Sequence, residues 1–130
     1  MNSEELKKEK HDLYVKQVAK ILKNQDFTDI KADLPDSPNP NGFSWAANPS
    51  RTWFSDITAS KNGNRYVFEI KSTQESFAFP NVKYQLEAFD GYAKQPNKYF
   101  ILVVPESVEQ YAKKIVAEWG LDNCKVRTLD

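Results

Sequence analysis

Phe54-Ser55-Asp56-Ile57-Thr58-Ala59-Ser60-Lys61-Asn62-Gly63-Asn64-Arg65-Tyr66-Val67-Phe68-Glu69-Ile70-Lys71 contains two strand-like runs joined by Asn-Gly, the first from Phe54 through Ala59 and the second from Arg65 through Lys71. Both central residues of a type I′ turn need φ > 0, which makes Asn-Gly between such runs the strongest short-range hairpin signal. Facing residues in a two-residue hairpin have numbers of constant sum. Counting outward from the turn sets Asp56 opposite Glu69, with Cβ atoms about 5 Å apart. Lys71, two residues further on, points to the same face. Two like charges directly opposed on a ladder destabilise it. A divalent cation would offset that repulsion, and Mg²⁺ takes one or two carboxylates together with water and substrate phosphate. A nearby ammonium would then orient or deprotonate the attacking water, or balance charge on the phosphate. The competing reading is a solvent-facing strand that carries Asp, Glu and Lys by chance. A bulge near the turn would shift the register and undo the pairing.

Before the hairpin, Glu4 to Gln25 reads as a helix whose apolar face is Leu13, Tyr14, Val15, Val18, Ala19, Ile21 and Leu22. Phe27 to Leu34 reads as a strand with Phe27, Ile30, Ala32 and Leu34 inward. Pro35 to Thr52 reads as a long connection, rich in proline; connections of this length are usually functional or mobile. Its Phe43, Trp45 and Arg51 would stack on bases or clamp phosphate, or else the aromatics tuck the loop onto the body.

After the hairpin, an irregular stretch leads to a helix from Asn81 to Lys94 with Val82, Leu86, Phe89 and Ala93 buried, ended by Pro96. Lys98 to Val104 is nearly all apolar, as in a strand covered on both faces. Ser107 and Gln110 read as a capping box for a helix with Val108, Tyr111, Ala112, Ile115, Val116 and Trp119 inward, closed by Gly120. Lys125 to Leu129 reads as a last strand. The order α-β-β-β-α-β-α-β makes residues 1–130 one α/β domain, a mixed β-sheet flanked by helices.

The chain's 130 residues suffice for a single core, and 40% hydrophobic and 13% aromatic residues argue against disorder. Eighteen basic residues balance eighteen acidic ones, which argues against a protein that coats nucleic acid nonspecifically. The lone Cys124 suits a reducing compartment and lacks a zinc-ligand spacing. His11, the only histidine, has no activated Ser or Cys partner in view and reads as a surface helix residue. Four glycines leave no room for a phosphate-binding loop. The charged first ten residues and the absence of a membrane-length apolar stretch predict a cytoplasmic chain with no membrane partner.

Asp56-Ile57-Thr58-Ala59, then Glu69-Ile70-Lys71-Ser72-Thr73, then Gln85 on the next helix, then the strand Tyr99 to Val104, resemble the PD-(D/E)-x-K nuclease superfamily. Within it the pattern is most similar to archaeal-type Holliday junction resolvases, and it covers roughly Val15 to Val104. The Glu-x-Lys motif alone is weak; with Asp56, Gln85 and the element order it gains specificity for the superfamily, and much less for one activity.

The resemblance implies a restriction-endonuclease-like core and a Mg²⁺- or Mn²⁺-dependent endonuclease. Asp56 and Glu69 would hold the metal with the backbone carbonyl of Ile70. Lys71 would position water or stabilise charge, and Gln85 would support the site. Arg51, Lys83, Trp45 and Ser72 would contact nucleic acid, DNA first, in a resolvase-like or repair-type enzyme that works as a homodimer if it cuts two strands symmetrically. The alternatives are a toxin-type nuclease acting on tRNA or DNA with an immunity protein as partner, and a non-catalytic nucleic-acid-binding subunit that kept the fold.

Three departures stand out. Ser55 replaces the proline before Asp56. The resolvases' first-helix glutamate aligns with Gln17, leaving Glu9 and Asp12 as the nearest carboxylates, one of which could reach the site and on which a second metal would depend. The net charge is neutral where a junction-gripping protein is expected to be basic.

Overall fold

The computed structural model describes residues 2–40, 42–45 and 48–128, the side chains of 43–51 excepted. Helix α1 (Ser3–Asn24) opens the chain. Strands β1 (Thr28–Ala32), β2 (Gly42–Trp45), β3 (Asn48–Phe54), β4 (Ile57–Lys61) and β5 (Asn64–Ile70) follow. Helix α2 (Val82–Tyr92), strand β6 (Lys98–Val104), helix α3 (Glu109–Glu118) and strand β7 (Cys124–Thr128) complete the order.

The predicted hairpin is β4–β5. Asn62 and Gly63 both have positive φ, 53° and 82°, as a type I′ turn requires. Its five ladder pairs run without a bulge from Lys61–Asn64 to Ile57–Phe68. β1 pairs antiparallel to β4, whereas β5, β6 and β7 are parallel, giving a mixed five-stranded sheet in the order β1-β4-β5-β6-β7.

Alternation along the strands divides the core in two. Phe68 and Ile70 of β5 and Ile101 and Val103 of β6 pack with Val15, Val18 and Leu22 of α1. Val67, Phe100, Leu102 and Val104 face Leu86 and Phe89 of α2 and Ala112 and Ile115 of α3. β6 is thus covered on both faces, which is why its sequence is a continuous apolar run. β7 closes one edge, with Lys125 and Arg127 exposed, charges that discourage edge-to-edge pairing. Among the described residues no helix is long and apolar enough to cross a membrane.

Several expectations change. The connection expected over Pro35 to Thr52 contains a second, two-stranded hairpin, β2–β3. A Cβ at Gly42 would run into Thr52 Cγ2 and the Phe54 ring, so glycine is needed for this close approach. Phe54 ends β3 rather than opening the first arm of the main hairpin, and Ser55 and Asp56 form a bend between the two sheets. On α1, Leu13 and Ile21 remain exposed, because the sheet covers only the stripe through Val15, Val18 and Leu22. The capping box at Ser107 is absent: residues 106–108 make a 3₁₀ turn, and no side chain caps α3. At the other end of α3, Gly120 (φ 66°) donates to Ala117 O and Leu121 N–H to Val116 O, the paired bonds of a Schellman stop.

Candidate active site

Glu69 lies near the C-terminal end of β5, where the residue is only 3% exposed. The ladder stops one position short of it, at Ile57–Phe68, and the chain bends at Asp56. The buried Ser55 hydroxyl stabilises that bend by donating to Ile57 O at 3.2 Å. With no ladder partner, the backbone and side chain of Asp56 turn toward β5. The Asp56 N–H donates to Glu69 Oε1 at 3.0 Å, and the Ile70 N–H donates to Asp56 Oδ2 at 2.8 Å. The acids therefore meet as the hairpin count predicts, through an interlocked pair of backbone-to-carboxylate bonds rather than a regular ladder pair. Lys71 follows on the same face and donates Nζ to Glu69 Oε2 at 3.4 Å.

The fourth member of the cluster comes from α1. His11 Nε2 lies 2.9 Å from Asp56 Oδ1, across 45 positions of sequence. This corrects its reading as a surface residue: the imidazole is partly buried against the site. Neither carboxylate expected from this helix takes that position. Glu9 is exposed, and Asp12 pairs with Lys8 at 3.1 Å. No local signal marked His11, because its partner is brought near only by the packing of α1 on the sheet.

The cluster's electrostatics are unequal. Burial, followed by the charge of Asp56, pushes the Glu69 carboxyl well above its usual range, against the pull of Lys71. Burial acts in the same upward direction on Asp56, but the hydrogen bond and charge of His11, with those from Glu69 and Ile70, outweigh it and hold Asp56 below its usual value. The bond to Asp56 raises His11 in turn, against burial. Asp56 thus carries the first negative charge and Glu69 resists the second, the behaviour of two carboxyls sharing one site.

A divalent cation would relieve that resistance. Two adjacent carboxylates and a backbone carbonyl are hard oxygen donors of the kind Mg²⁺ and Mn²⁺ accept, and each ionised carboxylate oxygen keeps a second lone pair beyond the hydrogen bond described. The donor set fits such an ion on this ground. Among the described residues, however, no three His, Cys, Asp or Glu side chains are already gathered at metal-holding spacing.

The remaining expected residues are more dispersed. Gln85, half-buried on α2, directs Nε2 toward Phe54 O at 3.5 Å, so it borders the bend that holds Asp56. Ser72 follows Lys71 and is half-buried, while Lys83 is exposed on α2. Trp45 and Arg51 lie on β2 and β3, and their side chains fall outside the described residues. No family model matches the chain, and neither the curated proteins nor the solved structures contain a match.

Proposed function

We propose that this chain is a divalent-metal-dependent nuclease, with a restriction-endonuclease-like core, that hydrolyses phosphodiester bonds in DNA in the manner of a resolvase or repair enzyme. The observation that carries this reading is the interlock of Asp56 with Glu69 and Ile70, with Lys71 on the same strand end. Asp56, Glu69 and the Ile70 carbonyl would hold the ion, which when bound supplies a Lewis acid and a water of lowered pKa.

The protein's own groups supply position and charge. The Ile70 N–H fixes Asp56 Oδ2, and the Asp56 N–H fixes Glu69 Oε1, so both carboxylates are oriented before substrate arrives. Lys71 Nζ orients the water or offsets negative charge on the phosphate as the water oxygen bonds to phosphorus and one ester oxygen departs. Gln85 steadies the bend from the α2 side.

Asp56→Ala and Lys71→Ala should each abolish metal-dependent cleavage while circular dichroism and melting show a folded chain. Plasmid DNA, a four-way junction and tRNA, presented in parallel, define the substrate; preferential cutting of tRNA would move the assignment to the toxin-type alternative. Undiminished cleavage in both variants would remove the site from consideration.

A further inference from the structure

The two faces of the sheet are unequally covered: the core on one face packs against α1 alone, the core on the other against both α2 and α3. Beside the C-terminal half of α1 this leaves a groove of about 550 Å³, within the roughly 300–1,000 Å³ range of small-molecule sites. We propose that the groove binds an amphipathic organic anion, with an apolar body laid between Ile21 and the sheet and a single carboxylate or similar head at Lys125 and Arg127. None of Asp56, Glu69 and Lys71 lines it, so the site stands whether or not the chain is a nuclease.

The walls decide the chemistry. Phe68, Ile101 and Val103 give the groove an apolar floor, and Ile21, 37% exposed, forms its rim on α1. Tyr66 is stacked on Tyr99 at 5.0 Å between ring centroids and on Phe68 at 5.9 Å, while Lys125 Nζ lies over the Tyr99 ring. The ring faces are thus engaged with one another, which favours a flexible apolar body over a planar base that needs a free face to stack on. At the far side, β7 sets Lys125 beside Ile101 and Arg127 beside Val103 in parallel register. The lining includes no Asp or Glu. Among the described residues neither cation pairs with a carboxylate; Glu109, which shares the neighbouring depression with them, pairs with Lys113 at 3.4 Å. Arg127 donates Nη1 to Val126 O and keeps further N–H groups for an anion. Either sign of charge would guard the sheet edge. Two cations and no acid around one apolar groove, in a chain of zero net charge, are what complement an anionic head.

The test is titration of the ¹⁵N-labelled protein with decanoate, decanol and inorganic phosphate, followed by amide chemical shifts. Decanoate is expected to move the signals of Ile21, Tyr66, Tyr99, Ile101 and Lys125 along saturating curves. It should bind on the order of tenfold more tightly than decanol, and phosphate alone should give no saturable shift. Lys125 and Arg127 are exposed, so the double variant Lys125→Gln/Arg127→Gln should stay folded while its affinity for decanoate falls to that for decanol. Ile21→Trp, which fills the groove from its rim, should abolish binding of both. Absence of saturable decanoate binding, equal affinity in the double variant, or phosphate binding as tightly as decanoate overturns the proposal. Shifts of the same signals on concentrating the protein alone also overturn it, by assigning the groove to a second copy of the chain.

Discussion

Glu69 shows at the scale of one residue how the site opposes the fold that holds it. Its carboxyl is almost fully buried beside Asp56, and its pKa lies well above the ordinary 4.5. A folded-state pKa raised above the unfolded one contributes stability that is fully present below about 4.5. That contribution declines as pH rises through the folded value, because the unfolded chain ionises first. Asp56 has the opposite sign: its depressed pKa contributes stability above its unfolded value, lost as pH falls. Replacing Glu69 with Gln removes the first effect and leaves the His11 and Ile70 contributions to Asp56 in place. Without added metal at neutral pH, Glu69→Gln should melt higher than wild type, by a few degrees for a gain of about 1 kcal/mol. The variant should lose cleavage and the rise in melting temperature that Mn²⁺ gives wild type. A lower melting temperature at pH 7 would show that the Lys71 contact outweighs the repulsion. The acid pair was legible in sequence because a turn residue count sets it. His11 was not, since no spacing on α1 announces a contact with a bend beyond β1, β2 and β3.

Elements differ in the same way, according to whether their signals are local. The β4–β5 turn, the apolar β6 and the Gly120 stop each rest on a few consecutive residues, and each forms as expected. The β2–β3 hairpin was missed because Pro38, Pro40, Gly42 and Pro49 read as loop punctuation. Yet an isolated two-stranded ribbon accepts proline where a central strand cannot. Likewise the bend at Ser55 and Asp56 arises where the chain passes from one sheet to the other, a tertiary event with no turn signature. Gly63 separates the turn's own contribution from that of the site. It has φ 82°, and a Cβ there would meet nothing within 4 Å, so the cost of Gly63→Ala is confined to the backbone. That cost is about 1–2 kcal/mol, seen as a lower urea midpoint at unchanged slope. Since the turn lies at the opposite end of the hairpin from Asp56 and Glu69, cleavage per folded molecule should be unchanged. Weakened Mn²⁺ binding in fully folded Gly63→Ala would mean that the turn governs the site's register beyond the five ladder pairs.

Over the whole molecule, charge balance decides how the protein would hold a polyanion. Eighteen basic side chains face eighteen acidic ones, and several cations are already engaged within the chain. Lys8 pairs with Asp12, Lys113 with Glu109, Lys114 with Glu118 and Arg65 with Asp29. Exposed pairs of this kind add little stability, but each sets an opposing charge beside a cation that could otherwise reach a phosphate. The affinity of the proposed nuclease for nucleic acid should therefore come from a small footprint at the site rather than from a broad basic surface. Each phosphate neutralised on duplex DNA contributes about −0.9 to the slope of log K against log salt, so two or three contacts give about −2 to −3. Fluorescence anisotropy with cleavage-inactive Asp56→Ala, between about 50 and 200 mM salt, reads that slope. A slope of about −6 or steeper would require a basic surface gathered from several elements or from two copies of the chain, and would favour a protein that grips many phosphates at once. A shallow slope with cleavage retained in the wild-type enzyme would instead place recognition close to Asp56, Glu69 and Lys71, where the substrate's scissile phosphate must lie.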